Sequence, residues 1–262
     1  MLKLTVHRNY LNISTSMQHR PPRRPKIGIT TRLDVETGRF YLGRDYSDAV
    51  VAAGGIPVHI PLITDREVIE SLVGGIDGVL LPGSDTDPDP AYYGEDPHPS
   101  LKKVVPEKDE TDLAVLAAAE ERSLPVFAIC YGMQILNVSR GGSLFQDIGS
   151  QISGALKHEQ GIPLARPSHS IRVASGSPID LVDGNGSRRV NSHHHQSVKD
   201  VGRGLEPIAW ANDGVIEAIS DTRKGRFVVG VQWHPELSFR TDELSRRLFA
   251  RFVNECSIND ET

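Results

Sequence analysis

The residue best placed for chemistry in this sequence is Cys130, at the junction of a predicted strand and a predicted helix. An apolar run at 125–129 leads into it, and a helical pattern starts at 131–134, with Gly132 allowing a tight bend. Such a bend exposes the thiol at the carboxyl end of the strand and points the first N–H groups of the helix toward it. A buried core thiol is the alternative. The sequence therefore predicts that Cys130 is a nucleophile.

A cysteine reacts as its thiolate, and a neighbouring residue, most often a histidine, must favour that form. His234 stands at the end of a second predicted apolar strand that begins at Val228, and Pro235 stops further strand pairing. Glu236 lies two residues on, where its carboxylate can orient the imidazole. A histidine in such a position, taken alone, is more often structural. A glutamate that follows a strand, taken alone, is usually exposed to solvent. Together with Cys130 they predict a Cys-His-Glu relay in which His234 is the base.

A third strand end, at 80–84, brings a glycine to the same predicted edge of the sheet. Because Gly83 has no side chain, its backbone N–H can approach a ligand closely. We assign one oxyanion donor to this N–H and the other to the N–H of Tyr131. The alternative is an ordinary turn.

Two motifs resemble the signature of class I glutamine amidotransferases, whose active site is a Cys-His-Glu triad. They are Ile129-Cys130-Tyr131-Gly132-Met133-Gln134 and Gln232-Trp233-His234-Pro235-Glu236. Further stretches are similar to the γ-glutamyl hydrolase branch, of the peptidase C26 type, typified by γ-glutamyl-γ-aminobutyrate hydrolase. These stretches are 80–84, 93–95, 108–112, 141–147 and 190–196. The resemblance extends from about Pro25 to about Cys256, in order and without large gaps.

The resemblance implies hydrolysis of a γ-glutamyl amide bond, in γ-glutamyl-γ-aminobutyrate or a related γ-glutamyl amine, through a glutamyl thioester. Glutamate and an amine would be released, as in polyamine (putrescine) catabolism, with no metal or organic cofactor. It also implies that Gln134 contacts the glutamyl α-amino and carboxylate end. Ser84, His194 and Gln196 would line the substrate pocket. The alternative for Gln134 is a solvated position on a helix.

Tyr131 departs from the hydrolase branch, which usually carries arginine at this position. We expect its side chain to face the pocket mouth and to affect which substrate is accepted. The run Cys-Tyr-Gly-Met-Gln is also found in the glutaminase domain of GMP synthetase. Two other functions therefore stay open: a glutaminase subunit that supplies ammonia to a separate synthetase, and a non-enzymatic regulator that binds γ-glutamyl compounds.

Two clusters contain residue types that bind metals. Adjacent side chains on an extended segment alternate faces, so only His193 and His195 could act together, and no third ligand is evident. The segment 85–90 mimics the start of an EF-hand loop, but a proline occupies the position that needs glycine. We expect no metal at either place.

The bulk composition limits the class of protein. The 262 residues, 38% of them hydrophobic, can bury the core of one α/β domain. A net charge of −5 favours a small-molecule partner over nucleic acid. The two cysteines, Cys130 and Cys256, argue against a disulfide scaffold and favour a reducing compartment, the cytoplasm. No apolar run is long enough to cross a bilayer, and the oligomeric state, with a homodimer as one option, stays open.

Residues 1–24 differ from the rest of the chain in charge and proline content. They contain five Lys and Arg residues and no acidic residue, and 20–25 is rich in proline. This composition predicts a disordered N-terminal extension, with an organelle-targeting leader or a start at Met17 as alternatives. We expect residues 25–258 to form a single catalytic domain.

Strands and helices alternate in the first half of the chain. Strands are predicted at Lys26–Thr30, 57–60, Gly78–Leu81 and 125–129, with helices around 46–53, Arg66–Val73 and 113–117. This order predicts a mostly parallel, flavodoxin-like sheet flanked by helices. After Gly141 the chain is β-rich, with antiparallel hairpins predicted from 170–173, 207–211 and 215–219 and an amphipathic helix at 244–252. Sites in such sheets form at the carboxyl ends of the strands.

Overall fold

The structure is a computed structural model that describes residues 23–181 and 187–258. Its described part is an α/β fold built on a nine-stranded sheet, which confirms the predicted fold class. The predicted N-terminal extension lies outside the described residues except for its last two positions. No helix within these two described ranges is both long and apolar enough to cross a membrane.

The described elements follow the predicted alternation. The strands are β1 Lys26–Thr30, β2 Arg32–Asp34, β3 Arg39–Tyr41, β4 Ile56–Ile60, β5 Gly78–Leu81, β6 Val126–Ile129, β7 Leu144–Phe145, β8 His169–Val173, β9 Ser187–Val190, β10 Ser197–Val198, β11 Leu205–Ala211, β12 Ile216–Asp221 and β13 Val228–Val231. The helices are α1 Arg44–Ala52, α2 Arg66–Val73, α3 Pro106–Glu121, α4 Tyr131–Ser139, α5 Ile148–Gln151 and α6 Glu243–Ile258. Short 3-10 turns occupy Pro90–Tyr93 and Pro235–Leu237.

The central sheet has a parallel half and an antiparallel half. Its strand order is β4-β1-β5-β6-β13-β12-β11-β8-β9. The pairs from β4 to β13 are parallel, and the pairs from β13 to β9 are antiparallel. Parallel neighbours need long crossovers, and helices supply them in the first half, whereas β11 and β12 are joined by a tight turn with Gly214 at φ 88°. The predicted β-rich C-terminal half is therefore confirmed.

The two faces of the sheet carry separate hydrophobic cores. Along β6, Phe127 and Ile129 join the core that contains α1 and α6, whereas Val126 and Ala128 join the core that contains α2, α3 and α4. Successive side chains of a strand point to opposite faces, which explains this alternation. Because helices cover both faces, β6 is apolar at every position.

Three parallel strands end side by side, and each is followed by a residue that the sequence singles out. Parallel pairing aligns β5, β6 and β13 at one edge of the sheet. Gly83, Cys130 and His234 follow these strands within three residues of the strand ends. The topology therefore gathers the predicted site residues at the expected edge.

The short strand pairs outside the main sheet escape sequence prediction. β2 and β3 form a hairpin of mostly exposed or half-buried residues, and β7 and β10 pair over only two residues each. Neither pair shows the period-two pattern of a half-buried strand. The edge strand β9 is also absent from the sequence prediction.

Gly132 allows α4 to pack directly on β5. A Cβ at position 132 would lie 2.4 Å from Leu81 O and 2.8 Å from Leu81 Cβ. The substitution Gly132→Ala must therefore push α4 from the sheet, at an overpacking cost of about 1–3 kcal/mol. Alanine regains about 1 kcal/mol of helix propensity. Because the backbone of α4 has to move, we expect the cost to lie near the top of its range and the free energy of unfolding, measured by urea denaturation, to fall by about 1–2 kcal/mol.

Gly75→Ala is the matched control, because the nearest atom to its added Cβ is Leu72 O at an ordinary 3.5 Å. It should change the free energy of unfolding by less than about 0.5 kcal/mol. Equal or higher stability of Gly132→Ala would contradict the close approach of α4 to β5.

Candidate active site

Cys130 occupies a strained bend between β6 and α4. Its backbone has φ 54° and ψ −110°, a combination that residues other than glycine rarely adopt. The Cys130 N–H donates to Val231 O at 2.8 Å, and Cys130 O accepts from Gln134 N at 3.1 Å. Cys130 makes no side-chain capping bond to α4, so the N–H groups of the first helical turn keep their capacity for another acceptor.

The side chains of His234 and Cys130 meet beside Gly83. A Cβ built on Gly83 would lie 2.6 Å from His234 Cε1 and 3.4 Å from Cys130 Cβ, so both side chains flank one point. The imidazole of His234 is close enough to Cys130 for the charge of the sulfur to contribute to its titration. On its other side the imidazole donates from Nδ1 to Glu236 Oε1 at 2.6 Å. The structure thus brings the three residues of the predicted relay into one series of contacts.

The negative neighbours of His234 change its titration. Burial by itself lowers the pKa of this imidazole, but the charges of Glu236 and Cys130 outweigh that effect and raise the pKa to about 10. The ring is therefore held as an imidazolium at neutral pH. An imidazolium in this position can stabilise a thiolate and can deliver its proton to a leaving group.

Asn191 fixes the backbone of His234. Its Oδ1 accepts from the His234 N–H at 2.8 Å, and its Nδ2 donates to His234 O at 2.8 Å. An amide side chain suits this contact because it carries both a donor and an acceptor. Sequence reasoning assigned Asn191 no role, and its place in the family-like stretch 190–196 is the only signal that could have found it.

The loop after β5 is held through both backbone polar groups of Gly83. The carbonyl accepts from Arg32 Nε at 2.6 Å, and the N–H donates to the Tyr46 hydroxyl at 3.0 Å. The N–H that the sequence assigns to an oxyanion therefore already has an acceptor, which an oxyanion would have to replace. Sequence analysis did not identify Arg32 or Tyr46 as site residues. For Tyr46, the helical spacing indicates only a core position of α1.

The side chain of Tyr131 does not face the pocket mouth, and this prediction is wrong. It is 1% exposed, and its hydroxyl donates to Asp109 Oδ1 at 2.5 Å. Lys108 Nζ lies 5.1 Å from the centre of the tyrosine ring and 2.5 Å from Asp112 Oδ2. These groups of α3 satisfy the hydroxyl and cover the ring, which explains its burial. The N–H of Tyr131 is in the first position of α4, where it has no intrahelical acceptor.

A cavity of about 210 Å³ lies beside Cys130. The four residues that the resemblance assigns to substrate line it: Ser84, Gln134, His194 and Gln196. Gln134 is buried rather than solvated, and its Nε2 donates to Gln196 O at 3.2 Å. Gln196 Oε1 is buried and accepts no hydrogen bond within residues 23–181 and 187–258. The cavity therefore offers a bound molecule a buried acceptor.

The remainder of the cavity wall is mostly charged or titratable. Besides Cys130 and Tyr131, it consists of Asp85, Thr86, Asp87, Lys102, Glu159, His193 and His195. His193 Nε2 lies 2.8 Å from Leu164 O, and His195 Nε2 lies 2.9 Å from Asp87 Oδ1. These two histidines therefore have separate partners. Among the described residues, neither they nor the segment 85–90 contribute to a group that could hold a metal ion.

A family model described as Peptidase C26 matches residues 25–236. The match covers most of the chain, from the first strand to the residue that pairs with the His234 ring. The chain belongs to this family, which confirms the resemblance seen in the sequence. It is a hydrolase of the glutamine amidotransferase-like type.

Named relatives extend this result. The chain is 36% identical to the γ-glutamyl-γ-aminobutyrate hydrolase PuuD of Escherichia coli (strain K12) over 222 residues, which cover 82% of this chain and 86% of that protein. It is 37% identical to the glutamine amidotransferase-like protein YvdE of Lactococcus lactis over 215 residues, 82% of this chain and 88% of that one. The crystal structure of a GMP synthase subunit from Thermoplasma acidophilum matches with a TM-score of 0.63 at 15% identity, over 91% of this chain and 97% of that chain. At this identity the likeness concerns the fold alone.

A methyl group at position 83 should separate the imidazole from the thiol. In Gly83→Ala the new Cβ would lie 2.6 Å from His234 Cε1, so the ring must move. Because the displaced ring can no longer assist the sulfur, we expect alkylation of Cys130 by iodoacetamide at neutral pH to slow by about tenfold or more. Peptide mass spectrometry measures the rate, and Gly75→Ala should react like the wild type. An unchanged rate in Gly83→Ala would contradict the contact.

The raised pKa of His234 should make stability depend on pH. Because the folded-state value of about 10 exceeds the ordinary 6.5, the protonated ring stabilises the fold. This contribution is complete below pH 6.5 and is lost as the pH rises to about 10. The stability difference between the wild type and His234→Gln, from urea denaturation, should therefore shrink across this window. In Glu236→Gln the pH range over which stability changes should be narrower, because one of the two negative neighbours of His234 is removed. A stability difference between the wild type and His234→Gln that stays constant with pH would argue against the raised pKa.

Proposed function

We propose that this protein hydrolyses γ-glutamyl amide bonds, in γ-glutamyl-γ-aminobutyrate or a related γ-glutamyl amine, with Cys130 as the nucleophile. The observation that carries the proposal is the series of contacts Cys130, His234 and Glu236 beside a cavity. The name of the Escherichia coli relative supports the substrate class. The proposed partner is a small γ-glutamyl molecule, with no nucleic acid and no cofactor, and the two free cysteines support a cytoplasmic location.

In the proposed mechanism the Cys130 thiolate attacks the carbonyl carbon of the amide and forms a tetrahedral oxyanion. The N–H groups of Tyr131 and Gly83 stabilise the oxyanion, the second after exchanging its Tyr46 acceptor. His234 protonates the amine as the C–N bond breaks, leaving a glutamyl thioester. Water, deprotonated by His234, then cleaves the C–S bond and glutamate is released.

The changing charge on the sulfur adapts His234 to its two tasks. The Cys130 charge is one of the two that raise the pKa of the imidazole. Attack moves this charge from the sulfur to the substrate oxygen, where the N–H groups stabilise it, so the pKa of His234 falls after the C–S bond forms. The ring then releases its proton to the amine more readily, and in the thioester it is a neutral base for water. Glu236 remains as the partner that fixes Nδ1.

We place the glutamyl end of the substrate in the cavity beside Cys130. Gln196 Oε1, which lacks a partner within the described ranges, is an acceptor for the α-ammonium group. Gln134 lies next to it, and its amide donates to Gln196 O at 3.2 Å and to Gln232 Oε1 at 3.3 Å, so a hydrogen bond to the α-carboxylate replaces one of these acceptors. The Ser84 hydroxyl, 2.8 Å from Thr86 Oγ1, is a further polar group of this wall.

The test is glutamate release by the purified full chain acting alone on γ-glutamyl-γ-aminobutyrate, γ-glutamylputrescine and glutamine. Cys130→Ala should reduce kcat by at least about 10³-fold, because the proposed thioester cannot form without the sulfur. Rapid quenching of the wild type should locate a glutamyl group on the peptide that contains Cys130. Cys256→Ala is the matched control, since this second cysteine lies in α6 and takes no part in the proposed steps.

Each other outcome points to a different function. Turnover by Cys130→Ala comparable to the wild type would overturn cysteine catalysis. Binding of γ-glutamyl compounds without turnover by the wild type would favour the regulator. Ammonia release from glutamine that appears only when a second protein is added would favour the glutaminase subunit.

A further inference from the structure

Four buried side chains lie close together within the antiparallel half of the fold. As a cluster they have no role in the proposed reaction. His169 begins β8, Glu217 lies in β12, His194 follows β9, and His158 lies in the loop before β8. Each is at most 8% exposed. Ligand atoms of His158, His169 and Glu217 all lie within 4.8 Å of one another.

Three imidazole nitrogens lie near one carboxylate oxygen of Glu217. Its Oε1 lies 3.0 Å from His169 Nε2, 3.3 Å from His158 Nδ1 and 3.7 Å from His194 Nε2. A tetrahedral Zn²⁺ site with bonds of about 2.0–2.1 Å has ligand atoms about 3.3–3.4 Å apart. The mutually close ligand atoms are those of His158, His169 and Glu217, and His194 Nε2 approaches the same carboxylate oxygen from a greater distance.

The outward-facing nitrogens of two of these rings are held in place. His158 Nε2 lies 2.9 Å from Asp213 Oδ2, and His194 Nδ1 lies 2.9 Å from Gln196 O. Since a carbonyl oxygen only accepts, His194 Nδ1 carries its proton and the neutral ring presents a lone pair at Nε2. Carboxylate and carbonyl partners of this kind orient metal-binding histidines.

Two polar atoms in the centre of the cluster lack partners. In the part of the chain that the structure describes, His194 Nε2 and Glu217 Oε2 are buried and make no hydrogen bond. A nitrogen lone pair that faces a carboxylate in a buried site is unfavourable unless a proton or a cation lies between them. The outer nitrogen of His169, Nδ1, is also without a partner in the described ranges.

We propose that His158, His169 and Glu217 bind one divalent metal ion of the zinc type, and that His194, 3.7 Å from the same carboxylate oxygen, moves inward to become the fourth ligand. Three imidazoles and one carboxylate suit Zn²⁺ in ligand type, and four protein ligands leave no open position for catalysis. The role is therefore structural: the ion would tie His194, which lines the cavity, to β8 and β12. The site could not be predicted from the sequence because its ligands are far apart along the chain. The sequence interpretation of His194 took into account only its neighbours in the sequence.

A metal-free hydrogen-bonded network is the competing explanation. His169 Nε2 and His158 Nδ1 can each donate to Glu217 Oε1, and Ser192 Oγ lies 3.4 Å from His158 Nδ1. In this network a proton between His194 Nε2 and Glu217 takes the place of the proposed ion. Metal content distinguishes the two, and it does so independently of the proposed hydrolysis.

The experiment uses untagged full-length protein, incubated with excess Zn²⁺, desalted, and analysed by inductively coupled plasma mass spectrometry. The wild type should retain about one Zn²⁺ per chain and show a higher Tm with the metal than after chelation. Loading with Co²⁺ should produce the intense visible absorption of tetrahedral coordination. Glu217→Gln and His169→Gln should each weaken Zn²⁺ binding by about tenfold or more, whereas His59→Gln, at an exposed histidine, should bind like the wild type.

Retention of less than about 0.1 Zn²⁺ per wild-type chain would overturn the proposal. So would a Co²⁺ spectrum of octahedral type, or binding undiminished in both cluster variants that circular dichroism shows to be folded. If the variants do not fold, the amount of Zn²⁺ bound per wild-type chain and the Co²⁺ spectrum of the wild type decide whether the metal site exists. Glutamate release by the wild type is measured separately, so failure of the metal proposal and failure of the hydrolase proposal are distinguishable.

Discussion

The backbone conformation of Cys130 is the constraint on which the rest of the site depends. A residue with a side chain at φ 54° costs on the order of 1–3 kcal/mol, so the surrounding structure must hold it there. The hydrogen bond to Val231 O provides support from β13, and the contact of Gly132 with Leu81 provides support from β5. The strained bend is therefore maintained by both neighbours of β6, and the parallel sheet holds the buried Cys130 at the wall of the cavity.

The same edge of the sheet concentrates charged groups that are tolerated because each has a partner. His234 lies between Cys130 and Glu236, and Asn191 holds its backbone at two points. A buried imidazole would ordinarily be neutral, but two negative neighbours reverse that tendency. Rigid placement of the ring and its raised pKa thus have the same origin, the short contacts made at the end of β13.

His194 connects the two halves of the molecule. It lines the cavity next to Cys130, yet its ring faces Glu217 of the antiparallel half. The wall of the cavity therefore depends on strands that carry none of the proposed reacting groups. This dependence gives a physical reason for a β-rich extension after Gly141: the parallel half supplies the nucleophile and its partner, and the antiparallel half positions the opposite wall.

The sequence by itself determined that the first strands are parallel, that the chain bends at Cys130 and that His234 and Glu236 lie at one edge of the sheet. These features follow from local periodicity and from the alignment of parallel strand ends. Only the tertiary structure decided where Tyr131 points, since its hydroxyl is satisfied by Asp109 of another helix. The same holds for the Tyr46 hydroxyl on Gly83, and for the meeting of His194 with Glu217. Side-chain contacts between distant segments depend on packing and register, and neither leaves a repeating signal along the chain.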